Sequence, residues 1–404
     1  MKNTKRILPI LKELSEDVLS FVQLNNNPGL MGGYCGAALF YAYYFRLTGR
    51  KSYLQKMNAI ILKCLEAISE KELLLSHCNG IGGIAWCIQH LIKNDFISAA
   101  EFDDVFVEVD LLLSGFMKNE LEEKRYDFLH EGLGIILYFL ERMPDENARI
   151  YLEQAVNILE NSSISTSEGI TWTYRSSQKI EEAKDGEIYN LGLAHGMPAI
   201  VSILTMMYEK GIAKDKTSAL VNQGLQWLMA NRDASANNGS SLYPSLVTAD
   251  NQPIGQKHSR LGWCYGDLGI AATLWNAGRQ LDNSNYINEA YSIYEYTLQH
   301  RDRKNGTIVD ASLCHGSMGI SHMYRRAASA SGDQVLKAGM NKWLDETLDM
   351  SRGQDGTSGF KYRTNNGFEN NGNLLEGKTG IGLGLIAALD GDIVPAWDKC
   401  LLLS

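Results

Sequence analysis

The chain lacks any apolar run long enough to cross a bilayer. Its longest, such as residues 381–389, fall far short of the roughly 20 residues a membrane helix needs. Nor is a secretory signal expected, since the apolar text after Lys2, Lys5 and Arg6 is broken at once by Lys12 and Glu13. A cytoplasmic location is therefore expected. Positive charge is short as well: 38 Lys and Arg against 47 Asp and Glu leave a net charge of −9. That removes nucleic acid as a main partner, because such binding rests on neutralised phosphates, and it suits a basic peptide. A disulfide framework is missing too. The seven cysteines are odd in number and scattered through 404 residues, the pattern of free thiols or metal ligands.

What the chain does have is a repeat. A glycine motif, usually G-x-x-G, recurs as Gly33-Tyr34-Cys35-Gly36, Gly80-Ile81-Gly82-Gly83, Glu131-Gly132-Leu133-Gly134, Gly196-Met197-Pro198-Ala199, Gly266-Asp267-Leu268-Gly269, Gly316-Ser317-Met318-Gly319 and Gly377-Lys378-Thr379-Gly380. The last positions are separated by 47, 51, 65, 70, 50 and 61 residues. Each copy is followed by a mostly apolar stretch, which reads as a helix buried on all sides. Each is preceded by an amphipathic one. Ile7, Ile10, Leu11, Leu14, Val18 and Phe21 share one helical face, as do Tyr53, Met57, Ile60, Cys64 and Ile68.

Seven helical hairpins that cannot bury their faces alone are expected to close on one another. The predicted fold is all-α: an α/α toroid of seven inner and seven outer helices. Residues 1–404 form a single domain on this reading. Two long intervals, 162–192 and 232–260, are polar and lean toward strand, and are expected to be small excursions over the mouth of the cavity.

If the motif were purely architectural, the residues ahead of its first glycine would be bland. Instead Cys264 lies two residues before Gly266, Cys314 two before Gly316, and His315 follows Cys314. Neighbouring repeats would set the two cysteines side by side. Two thiolates and an imidazole suit zinc with its fourth position open, the pattern of a catalytic site. Small buried cysteines are the competing reading. His195 holds in the fourth copy the place His315 holds in the sixth, and Asp127 stands just ahead of the third, in Tyr126-Asp127-Phe128-Leu129-His130. Together they can keep a proton donor near a metal-bound nucleophile, although a capping role is open to each. Arg260 and Tyr265 flank Cys264 and can orient substrate or serve structure alone. Asp267 and Glu376 are expected to brace loops by accepting backbone hydrogen bonds.

The strings Trp263-Cys264-Tyr265-Gly266, Cys314-His315-Gly316 and Ala194-His195-Gly196 resemble the signature of the LanC family of lanthionine cyclases. The resemblance spans all seven repeats. It implies one Zn²⁺ per chain held by Cys264, Cys314 and His315, with His195 and Asp127 as catalytic residues and Arg260 and Tyr265 in the active site. It implies formation of lanthionine and methyllanthionine thioether rings, by addition of peptide cysteine thiols to dehydroalanine and dehydrobutyrine. The implied substrate is a dehydrated, leader-bearing lanthipeptide precursor, as in bacteriocin biosynthesis. A dehydratase and an exporter are the implied partners, holding a monomeric, cytoplasmic enzyme at the membrane periphery. One branch of the family carries an SH2-like excursion, of which 162–192 would be a reduced counterpart. Glu131 stands where the family has glycine, and Ala199 replaces a second one. The alternatives are a LanC-like zinc protein that binds thiols or peptides without cyclising them, and a protein prenyltransferase β-like enzyme.

Overall fold

The computed structural model describes residues 2–99, 102–175, 187–237, 239–255, 258–351, 358–389 and 396–404. Amphipathic and buried helices alternate along it. They are α1 (Lys2–Leu24) and α2 (Gly36–Thr48), α3 (Lys51–Glu70) and α4 (Ile81–Lys93), α5 (Asp103–Glu122) and α6 (Leu133–Arg142), and α7 (Glu146–Ser162) and α8 (Met197–Glu209). Then follow α9 (Lys214–Ala230) and α10 (Asp267–Gln280), α11 (Ser284–His300) and α12 (Ser317–Ser331), and α13 (Gln334–Met350) and α14 (Lys378–Leu389). The odd-numbered helices bury one stripe: Ile7, Leu11, Leu14 and Val18 of α1 are fully covered, whereas Ile10 and Phe21 are half-buried. The even-numbered ones are covered nearly all round, as in α6, buried from Leu133 to Glu141. This is what their apolar composition requires.

The chain divides into two compact units. The first, residues 1–106 and 308–397, packs α12 on α14, α14 on α2 and α2 on α4. The last repeat is thus the neighbour of the first, and α1 packs on α14. The second unit, residues 107–307 and 398–404, packs α6 on α8 and α8 on α10. In both, the tightest pairs join a buried helix to the amphipathic helix after it, such as α2 to α3, α8 to α9 and α12 to α13. The cause is local. These connections are short and sharply capped, by left-handed Gly49 after α2 and Gly332 after α12, and by Asp333, whose carboxylate accepts from Val335 and Leu336 N–H at the start of α13. The glycine motif lies on the longer link that follows each amphipathic helix.

Six short strands stand outside the helices among the described residues. β1 (Ile164–Thr166) and β2 (Gly169–Thr171) form an antiparallel hairpin. β3 (Ile188–Asn190) pairs antiparallel with β4 (Leu246–Thr248), which links the two intervals singled out in the sequence. Residues 176–186, 238 and 256–257 of those intervals lie outside the described residues. A third hairpin, β5 (Tyr362–Thr364) with β6 (Gly367–Glu369), was not foreseen. No helix among the described residues is long and apolar enough to cross a membrane.

Candidate active site

The loops ahead of the buried helices share a construction. A side-chain oxygen six residues before the first glycine accepts the N–H two residues on: Asn190 from Gly192, Asp310 from Ser312 and Asn371 from Asn373, at 2.8, 3.0 and 3.0 Å. This Asx turn fixes the path of the chain to the residue just before the glycine, which is His195, His315 or Glu376. In the fifth copy the same place is taken by Arg260. There Gly266 has φ of +108° and its missing side chain leaves room for the Arg260 carbonyl, so only glycine fits.

In the second unit the third and fourth repeats meet at a dyad. His195 Nδ1 lies 2.7 Å from Asp127 Oδ2. The other Asp127 oxygen accepts from the N–H of Leu129 and His130, at 2.9 and 3.0 Å. The carboxylate is therefore fixed by its own turn before it meets the imidazole. Glu131 takes part: its Oε2 accepts the Asp127 N–H at 2.8 Å. The residue that departs from the family pattern thus holds Asp127 rather than displacing it. Burial raises the Glu131 pKa, against the hydrogen bond from Asp127. For His195, burial disfavours the charged ring, but the hydrogen bond and charge of Asp127 outweigh it, with help from Cys264 and Glu131. Its pKa is raised.

Tyr265 lies against His195, with ring centroids 5.7 Å apart, and its hydroxyl accepts from Asn190 Nδ2 at 3.0 Å. Burial pushes its pKa up. The Cys264 carbonyl accepts the Ala194 N–H at 3.3 Å, and Cys264 itself is buried. A side chain at Gly192 would run into both the Tyr265 ring and that carbonyl, so the close approach of the two loops needs glycine there. His195, Asp127, Tyr265 and the Cys264 loop are thereby brought together within one unit. Arg260 is not brought to them: its side chain is exposed, and its carbonyl serves the turn. Asp267 is buried, accepts from Leu242 and Tyr243 N–H, and is 3.2 Å from Arg301. It braces the loop, as expected.

In the first unit Cys314 is buried, and its N–H donates to the Leu375 carbonyl at 3.0 Å. His315 is nearly covered, with Nε2 3.9 Å from Asp310 Oδ2, and its ring centroid is 5.8 Å from that of Tyr362. Tyr362 donates its hydroxyl proton to Glu376 at 2.9 Å. Glu376 therefore braces through a side chain rather than a backbone N–H. Asn190, Asp310 and Tyr362 were not singled out from the sequence. For the first two the signal was present, as an Asn or Asp six residues before a repeat glycine.

The chain is similar to known proteins. A sequence profile of the lanthionine synthetase C-like proteins matches residues 25–402. The nisin biosynthesis protein NisC of Lactococcus lactis subsp. lactis is 27% identical over 308 residues, covering 72% of this chain and 71% of that protein. A solved nisin cyclase, 21% identical, superposes with a TM-score of 0.75, covering 100% of this chain and 98% of its own. That likeness gives the fold, and it is the α/α-toroid class predicted from the seven repeats. The chain belongs to the lanthionine synthetase C-like family and is a cyclase of that family.

Proposed function

We propose that the protein closes thioether rings in a dehydrated lanthipeptide precursor, as a zinc-dependent cyclase acting as one domain. The observation that carries this reading is the Asp127–His195 dyad, a proton donor held by a fixed carboxylate in the loop layer that also carries Cys264. Cys264, Cys314 and His315 would hold one zinc ion. Their chemistry fits it: two thiols and one imidazole, each offering one donor atom, are soft and borderline ligands that leave a fourth position open. Asp310 beside one ring nitrogen of His315 is the kind of outer carboxylate that orients a ligating imidazole. When bound, zinc would keep the substrate cysteine as a thiolate at neutral pH, where a free thiol is mostly protonated.

The protein groups then act on the acceptor. Addition of the thiolate forms a carbon–sulfur bond at the β-carbon of dehydroalanine or dehydrobutyrine and leaves an enolate. His195, kept protonated by Asp127, delivers its Nε2 proton to the α-carbon. Tyr265, whose hydroxyl accepts from Asn190 Nδ2, would donate its proton to the developing enolate oxygen. Arg260, exposed in this structure, would have to turn inward to share that role.

The protein is further proposed to work as a cytoplasmic monomer on a leader-bearing precursor. A dehydratase and an exporter would hold it at the membrane periphery. The test is incubation with a dehydrated, cysteine-containing precursor peptide, followed by thiol alkylation and mass spectrometry. Loss of alkylatable thiol at unchanged peptide mass, with about one zinc per chain, is the expected result. Full alkylation in the presence of zinc overturns the reading.

A further inference from the structure

A groove of about 480 Å³ lies in the first unit between the C-terminal end of α1 and the loop leading to α14. Its apolar wall is the Phe21 ring and Leu24, the latter 84% exposed. Three asparagines face it: Asn25, Asn370 and Asn371. Each has its amide oxygen pinned by a donor, from Asn27 N–H at 2.7 Å, Lys378 Nζ at 3.2 Å and Asn373 N–H at 3.0 Å. The oxygen of each amide is thereby identified, so its NH₂ must point the other way. No described residue accepts from these three NH₂ groups. The one charge pair among the described lining residues cancels, since Lys378 is buried and held 2.8 Å from Asp17. Among the described residues an anionic ligand therefore finds no free cation here, and the open chemistry is a set of neutral donors beside an apolar strip.

We propose that this groove binds an extended, uncharged stretch of the substrate peptide, with the asparagine NH₂ groups donating to its main-chain carbonyls. Main-chain recognition is indifferent to side-chain identity, while Phe21 and Leu24 add apolar contact. The loop runs from Asn371 to Leu375, whose carbonyl receives the Cys314 N–H. Those four residue steps span at most roughly 14 Å. A peptide held at the groove keeps its neighbouring residues within reach of Cys314, so successive rings are closed at a raised effective concentration. The proposal rests on a peptide being the substrate.

The test uses a probe that cannot be cyclised: a pool of uncharged nonapeptides, acetylated and amidated, with neither cysteine nor dehydro residues. Its binding to the full-length protein is followed by calorimetric titration. The double variant Asn25→Asp/Asn371→Asp keeps the pinned oxygens and replaces two donors with acceptors. It is expected to weaken binding by roughly tenfold or more. Leu24→Ser, at an exposed position that cannot harm folding, should weaken it by about threefold. Unfolding temperature and zinc content should stay as in the wild type. Equal affinity in the double variant, or no binding by the wild type at millimolar peptide, overturns the proposal. Either result leaves ring closure untouched, because the probe takes no part in it.

Discussion

Asp127 and His195 come from different repeats, 68 residues apart in sequence, and meet at 2.7 Å with the carboxylate already fixed by the N–H groups of Leu129 and His130. Asp127→Asn separates the two jobs of this residue. Asparagine keeps an oxygen for the turn but offers His195 no negative charge, so the protonated imidazole loses its support. Single-turnover ring closure should slow by about 10² to 10⁴-fold, with zinc content and unfolding temperature close to wild type. A rate within twofold of wild type would remove Asp127 from the chemistry.

The same pair sets a pH dependence. The raised pKa of His195 keeps it protonated above the ordinary imidazole value of about 6.5. If His195 is the acid, rate falls as pH rises through that raised pKa. In Asp127→Asn the hydrogen bond and charge that raise it are gone, so the falling limb should move to lower pH. The limb from thiol ionisation is common to both proteins, and their difference in rate against pH isolates His195.

Much of this architecture was legible in the sequence because its causes are periodic. Seven glycine motifs and the apolar stretches after them announced the buried helices, and the amphipathic faces of α1 and α3 announced the others. Cys264 and Cys314, two residues before a repeat glycine, and His195 and His315, directly before one, stood out as chemistry-bearing residues. Less legible was anything decided by contacts between repeats. The bond from Asn190 to Tyr265 depends on how the fourth and fifth loops cross. The pairing of β3 with β4 joins segments more than 50 residues apart with no pattern beyond three residues each. Glu131 looked like a defect in a motif, since nothing in its spacing shows that its carboxylate folds back onto the Asp127 N–H.

That contact predicts a contrast between two variants. Glu131→Gln retains an oxygen for the Asp127 N–H and should be near neutral in both stability and rate. Glu131→Ala removes it and leaves a buried donor without its partner, at a cost of about 1–3 kcal/mol. Thermal unfolding of the three proteins reads the first effect and single-turnover rate the second. Equal melting of the Ala and Gln variants would show that the N–H finds another acceptor.

Asp267 and Arg301 form an ion pair with both side chains fully buried. Asp267 also receives the Leu242 and Tyr243 N–H groups, and Arg301 donates to the Ser259 carbonyl. Removing one partner leaves a buried charge uncompensated. Arg301→Ala should therefore destabilise the protein by about 3–5 kcal/mol, measured by denaturant unfolding. The loop from Ser259 to Cys264 is held through this pair, so loss of zinc should accompany loss of stability.

The assignment of metal and proton-transfer roles is tested by comparing losses. Cys314→Ala removes one of three proposed ligands, and an open site with two remaining ligands holds zinc poorly, so both metal and ring closure should disappear. His195→Ala removes no proposed ligand. It should keep about one zinc per chain by elemental mass spectrometry while ring closure slows by about 10² to 10⁴-fold. Chelation of the wild-type protein should mimic Cys314→Ala and be reversed by zinc, whereas added zinc should do nothing for His195→Ala. The decisive comparison is metal content in His195→Ala. An empty site there would mean that the imidazole on the Asp127 side holds the ion, and the division between a proton donor in the third and fourth repeats and ligands in the fifth and sixth would have to be redrawn.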